Sequence, residues 1–263
     1  MSRVDTARES PWGAVAPLLG AVLLALYAVP VAWLVLAQPP GAVLASLDAP
    51  VVVGAARTTL LSATLSTALA TLLGVPLAYW LARTDLRGRT LVTAVVAFPL
   101  VLPPVVSGMI LLSAVGSSGL GGLLGVRVSG TIAGVVLAQT FVASPFVVLT
   151  ARSAFEGVDD DAEAAARTLG ASEWGTFRRV TLPLARRGIL AGVTLAFARA
   201  AGEFGATLML AYYPRTLPVQ IWVTFQGRGL DAAFPVAVVL VVLASLALVV
   251  INLLGDASPV VPE

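Results

Sequence analysis

The 263-residue sequence has no cysteine and no histidine, and all sixteen of its basic residues are arginine, so lysine is missing too. Without cysteine there is no disulfide and no thiolate nucleophile or metal ligand; without histidine the commonest general base and metal ligand is gone as well. We read the missing lysines as compositional bias of a GC-rich or salt-adapted genome rather than as a functional device. Charge of either sign is scarce. Charged residues make up 11% of the chain, whereas a soluble domain carries roughly a quarter. What fills the space is apolar: 58% of residues are hydrophobic and the mean hydropathy is +0.96. The composition predicts an all-α, polytopic membrane protein. In such a chain the net charge of +2 matters less than where the arginines lie.

A spanning helix needs about 20 mainly apolar residues, and six segments qualify: Val15–Ala37, Thr58–Leu81, Leu91–Val115, Thr131–Ala151, Gly188–Ala211 and Pro235–Leu254. The first is too long for the hydrophobic region of a cleaved signal peptide and is followed by no small-residue cleavage site. Arginine asymmetry sets the expected orientation. With the N-terminus inside, the inner segments hold Arg3, Arg8, Arg83, Arg87, Arg89, Arg152, Arg167, Arg178, Arg179, Arg186 and Arg187. The outer segments then hold Arg57, Arg127, Arg215 and Arg228. Both termini are expected in the cytoplasm, with Trp12, Tyr79 and Trp80 near the inner interface. The outer pieces Gly41–Ala56 and Thr216–Gln226 are expected as interfacial or re-entrant helices. No connection between spans has room for a soluble catalytic domain. The expected organisation is an N-terminal segment with the first span and outer loop (1–56), a transmembrane core (57–254) and a short tail (255–263).

One polar stretch stands out, AEAAARTLGASEWGTFRRVTLP at Ala162–Pro183, in the inner connection between spans four and five. Asp159, Asp160 and Asp161 precede it, where acidic groups complement a helix dipole and cap free backbone N–H groups. Gly170 suits a helix end. Ser172 reads as the N-cap of a second short helix over Glu173–Arg179, which Pro183 is expected to stop. Taken alone, these features describe two surface helices in a solvated loop.

The spacing adds to that reading. The small triplet Ala164-Ala165-Ala166, then Gly170, Val180 and Leu182-Pro183 resembles the cytoplasmic coupling motif of ABC importer permeases. The family's triplet usually begins with glutamate; here Ala164 holds that position and Glu163 falls one residue earlier. The resemblance implies that this helix docks in a groove of a separate ATPase subunit, with the small alanines allowing close approach and Glu173, Arg178 and Arg179 making charged contacts. It also implies a second copy of the chain, two ATPase subunits, an extracellular substrate-binding protein and a lipid environment, with no nucleic acid. ATP and Mg would be bound by the partner, since this chain has no GxxxxGK[ST] sequence and carries no cofactor of its own.

Span five carries the only strong intramembrane charges, Arg199 and Glu203, four residues apart and able to pair on one helix face. Ionisable groups at membrane depth line aqueous paths or fix packing; both roles fit here. Ala198, Gly202 and Ala206, with Ala201 and Gly205 beside them, form small-residue rows suited to close helix approach, and so to a dimer seam. The run Arg199–Leu210 with its Gly-Glu-Phe-Gly-Ala core is similar to the fifth span of oxyanion permeases, both sulfate/thiosulfate and molybdate/tungstate. Thr207-Leu208-Met209-Leu210, Leu217–Trp222 and Thr224–Gln226 look more like the molybdate/tungstate branch. In span three, Pro99, Pro103 and Pro104 followed by Ser107 and Gly108 predict a hinge or pore-lining break. Thr140, Ser144 and Pro145 of span four are expected to face the same cavity, with Val105, Met109 and Phe204 as candidates for an apolar gate.

Two other classes compete. An ion-coupled secondary transporter would favour inverted repeats, which the two halves of the chain do not show. An intramembrane enzyme would have to work with Glu203 or a serine, because no second carboxylate lies in any span.

Overall fold

The computed structural model describes residues 12–84 and 87–256. Arg3, Arg8, the side chain of Trp12 and tail residues 257–263 lie outside them. Every regular element among the described residues is helical: α1 (Trp12–Leu36), α2 (Pro40–Asp48), α3 (Pro50–Arg83), α4 (Arg89–Val101), α5 (Pro104–Val115), α6 (Leu120–Leu123), α7 (Ile132–Glu156), α8 (Asp160–Thr168), α9 (Glu173–Thr176), a π turn (Phe177–Thr181), α10 (Leu182–Ala201), α11 (Gly205–Leu210), α12 (Leu217–Arg228) and α13 (Leu230–Asp256). Proline stands in the first turn of α2, α3, α5 and α12, where its missing N–H would have had no helical partner anyway.

Among the described residues, six stretches are long and apolar enough to cross a membrane: Val15–Leu36, Pro50–Arg83, Pro104–Leu123, Ile132–Glu156, Glu173–Ala201 and Leu230–Ile251. Number and order match the sequence expectation; several boundaries do not. The second span runs from Pro50, unbroken through residues 56 and 57, for 34 residues. The segment Leu91–Val115 is two helices rather than one. Leu102 and Pro103 adopt extended backbone between α4 and α5, because each of two consecutive prolines drives the residue before it out of the helical region. Pro99, isolated, stays inside α4. The fifth span starts earlier, at Glu173, and ends at Ala201; Gly202–Phe204 unwinds before α11 resumes.

The centre of the bundle is α3, α7 and α10. They meet through Ala63, Ala70, Ala143, Ala196 and Ala200, with Val147 and Phe197 filling the gaps. Small residues let helices approach closely where lipid offers no hydrophobic drive. A second cluster at one end joins Leu81, Phe155, Val158 and Ile189. At the other end Val52, Leu217 and Val236 pack together, and Thr59 Oγ1 accepts the Leu217 N–H at 2.7 Å, satisfying a free amide at the start of α12. A fourth cluster, Leu111, Ala138, Val142, Ala206 and Leu210, ties α5 and α11 to α7. By contrast α1 exposes apolar side chains on all sides, as a lipid-facing helix does.

Candidate functional site

The polar segment forms α8, a turn, and α9 running through the π turn into α10. Asp159 caps α8 by accepting the Asp161 N–H at 3.0 Å. At the other end Gly170 has φ +89°, its N–H donates to Arg167 O at 2.9 Å, and the Ala171 N–H donates to Ala166 O at 3.1 Å. This pair of bonds is a Schellman motif, which requires the left-handed conformation that glycine adopts without strain. Ser172 accepts the Gly175 N–H at 3.1 Å and opens α9 as expected.

Pro183, however, does not stop that helix. Its ring would crowd the carbonyl four residues back, and the chain answers by widening one turn: the Leu182 N–H bonds to Phe177 O, five residues away. The helix then continues to Ala201. Rings hold the widened turn in place. Phe177 packs edge-on against Tyr79 at 4.7 Å and stacks on Trp174 at 5.4 Å, and Tyr79 meets Phe155 at 5.3 Å. Tyr79 is therefore used in this cluster, while Trp80 is exposed.

The two faces of α8 differ. Ala164, Ala165, Thr168 and Leu169 point outward, Leu169 at 89% exposure, and Trp174 beside them is 69% exposed. Glu173, Arg178, Arg179 and Pro183 share that exposed surface, while Ala166 and Leu182 are half-buried. Arg178 and Arg179 form no ion pair among the described residues. Leu169 and Trp174 escaped the sequence reading, although two large apolar residues inside a polar island are a visible signal. On the inner face Glu163 is 6% exposed. Its Oε1 accepts from Arg83 Nη2 at 2.6 Å and from Thr181 Oγ1 at 2.6 Å, and Arg167 lies 3.8 Å from Oε2. Arg83 also reaches Asp160 at 3.1 Å. A second ionic knot joins Arg89, Arg152 and Glu156, with Thr93 accepting from Arg152 at 2.6 Å.

The second candidate site is the break in span five. Arg199 lies in the last turn of α10 and Glu203 in the unwound residues, so the pair does not share one helix. It nevertheless forms, Nη2 to Oε2 at 2.5 Å. Glu203 is fully buried and its Oε1 also accepts the Ala206 N–H at 2.7 Å, whereas the Arg199 side chain keeps 28% exposure. Thr207 is buried with its hydroxyl donating to Phe204 O at 2.8 Å. That hydroxyl is used to close the turn.

Helix α5 covers this break. A Cβ on Gly205 would sit 2.9 Å from Val105 N and 3.0 Å from Pro104 Cβ; one on Gly108 would sit 2.7 Å from Ala206 O. Pro104 and Gly108 thus lie against Gly205 and Ala206, in the segment that also carries Glu203 and Thr207, with Pro103 capping α5. Ser107 is fully buried and its hydroxyl has no partner among the described residues. Gly205, Ala206 and Ala201 pack inside the chain, which corrects their expected place on a dimer seam; Gly202 is exposed and Ala198 half-exposed. Thr140 and Ser144 are not part of this site. They line a groove of about 240 Å³ between α3, α4 and α7, which Pro99 joins but Pro103, Pro104, Arg199 and Glu203 do not. Phe204 faces Trp222, at 5.6 Å, while Val105 lies over Gly205.

The family model for the binding-protein-dependent transport system inner membrane component matches residues 74–258. A probable molybdenum ABC transporter permease protein of Haloferax volcanii is 59% identical over 93% of this chain and 91% of its own length. The molybdate/tungstate transport system permease protein of Thermococcus kodakarensis is 41% identical over 86% of this chain and 89% of its own. Among solved structures, a bacterial ABC transporter involved in import of the acidic polysaccharide alginate superposes with a TM-score of 0.71 at 17% identity, covering 97% of this chain and 99% of that one.

Proposed function

The chain belongs to the family of inner membrane components of binding-protein-dependent transport systems, and on that footing we propose that it is the membrane-spanning subunit of an ABC importer whose cargo is molybdate or tungstate. Both termini and α8 face the cytoplasm. Two copies of the chain form the pathway, two ATPase subunits bind ATP and Mg and hydrolyse the nucleotide, and an extracellular binding protein delivers the anion. The chain itself catalyses nothing and holds no cofactor.

The observation that carries this reading is the two-faced α8. Its outer face offers small and apolar groups, Ala164, Ala165 and Leu169, beside Trp174 and the exposed Arg178 and Arg179. A groove in a partner subunit gains buried area from the first set and charged hydrogen bonds from the second. Closure of the ATPase dimer moves α8 as a rigid body, and the spans follow into the alternate state. In the pathway, Arg199 presents a planar, permanently charged donor set to a tetrahedral dianion, and Glu203 holds its geometry. The cargo is supported by relatives named for those anions.

The chain co-purified with its neighbouring-gene ATPase tests the docking. Deletion of 164–170 is expected to abolish the complex, and a complex that survives the deletion intact would refute the assignment. Uptake of molybdate into vesicles should be competed by tungstate but hardly by sulfate. Equal competition by sulfate moves the cargo to the sulfate/thiosulfate class.

A further inference from the structure

The outward face of α8 explains docking but not how a surface helix grips the membrane spans. Covalently α8 is held by two short connections, Gly157–Asp159 before it and Leu169–Ser172 after it. The second contains a left-handed glycine, Gly170, with no side chain to pack. Peptide joints of this kind transmit position poorly, because backbone torsions absorb displacement. A non-covalent tie is needed if a push on α8 is to reach the spans undiminished.

We propose that Glu163 is that tie, a positioning residue that makes α3 and the root of α10 follow α8 during the transport cycle. The inference rests on the importer reading above. Three observations carry it. Glu163 is 6% exposed on a helix whose other acidic residues, Asp160 and Asp161, face water, so its carboxylate is withheld from any partner subunit. One oxygen, Oε1, gathers two donors at 2.6 Å from two different elements: Arg83, the last residue of the 34-residue α3, and Thr181, in the π turn that leads into α10. The Arg83 fork then returns to α8 at Asp160, 3.1 Å away, so the contact resists rotation as well as translation.

The π turn acquires a purpose in this arrangement. Widening the turn at Phe177–Thr181 keeps the helix continuous past Pro183 and leaves Thr181 facing inward, 1% exposed, onto Glu163. The Phe177–Tyr79 contact places the same turn against α3. Helices α3, α8 and α10 are thereby locked together at one point, from which α3 runs through the bundle to its far end and α10 to the central alanine cluster that includes Ala200. Arg199 sits at the other end of α10. A displacement of α8 therefore reaches the span-five break along a single unbroken helix.

The test uses the full complex with ATPase subunits and binding protein, reconstituted in vesicles, and reads molybdate imported per ATP hydrolysed. Glu163→Gln keeps the side-chain shape and can still accept from Thr181, but loses the ion pair. The complex is expected to assemble and to hydrolyse ATP, with molybdate imported per ATP falling at least fivefold. Arg83→Gln should give the same loss from the α3 side, and the double variant should be no worse than the arginine variant alone, because both substitutions break the same Glu163–Arg83 ion pair. A wild-type transport ratio in both single variants overturns the proposal. So does a simple loss of assembly in both, which is what a purely structural contact would give. Failure of the unmodified chain to bind any ATPase would instead overturn the importer reading itself.

Discussion

Substituting Arg199 by alanine separates packing from transport, because the structure fixes how large the packing effect must be. Glu203 is fully buried and has two partners, Arg199 at 2.5 Å and the Ala206 N–H at 2.7 Å. Removing one member of a buried ion pair costs about 3–5 kcal/mol, since an uncompensated charge stays behind. Arg199 keeps 28% exposure and the Ala206 amide remains, which places the loss near the lower end, about 3 kcal/mol, or roughly a hundredfold in the folded-to-unfolded ratio. Thermal unfolding of the purified chain in detergent should register this as a drop of several degrees. Arg199→Ala with Glu203→Gln removes both charges; the glutamine oxygen still accepts the Ala206 N–H, and stability should return to within about 1 kcal/mol of the parent. Molybdate uptake should not return with it, because the cation proposed for the pathway is still missing. An uptake-competent double variant would refute a transport role for Arg199 and leave it as a packing residue. A single variant as stable as the parent would refute the buried pair.

Two further variants probe the packing around the sites. Gly108→Ala puts a methyl group 2.7–2.8 Å from Ala206 O and Cα; backbone cannot yield as a side-chain tip does, so we expect about 1–3 kcal/mol of destabilisation in the same unfolding assay. Gln139 is fully buried in α7, its Oε1 within 3.4 Å of Ser66 Oγ and its Nε2 without a partner among the described residues. Gln139→Met keeps the volume and removes the unpaired donor, so unfolding should be unchanged or shifted upward by about 1 kcal/mol; marked destabilisation would show that the amide has a partner after all.

What was legible in the sequence follows the range of the interactions involved. The six spans rest on composition over about 20 residues, and the turn at Gly170–Ser172 on neighbours one to five positions apart; both were readable. The breaks were half-readable. Pro103-Pro104 announced a disturbance, but whether two prolines bend a helix or divide it depends on what packs beside them. The unwinding at Gly202–Phe204 had no local cause to read. Gly205 must pass within van der Waals contact of α5, and that demand comes from a helix about a hundred residues earlier in the chain. Pro183 misled for the same reason. As a local signal it stops a helix, yet Phe177 against Tyr79 and Thr181 against Glu163 hold the helix together across it. Glu163, one residue before the position that the coupling-motif resemblance gives to glutamate, shows how the two kinds of information combine. Spacing alone marks Ala164 as a departure, because the motif is defined along the chain. In space, Glu163 turns one helical position inward and meets Arg83, eighty residues away. The outer face of α8 is thereby left small and apolar, while the carboxylate is committed to the spans.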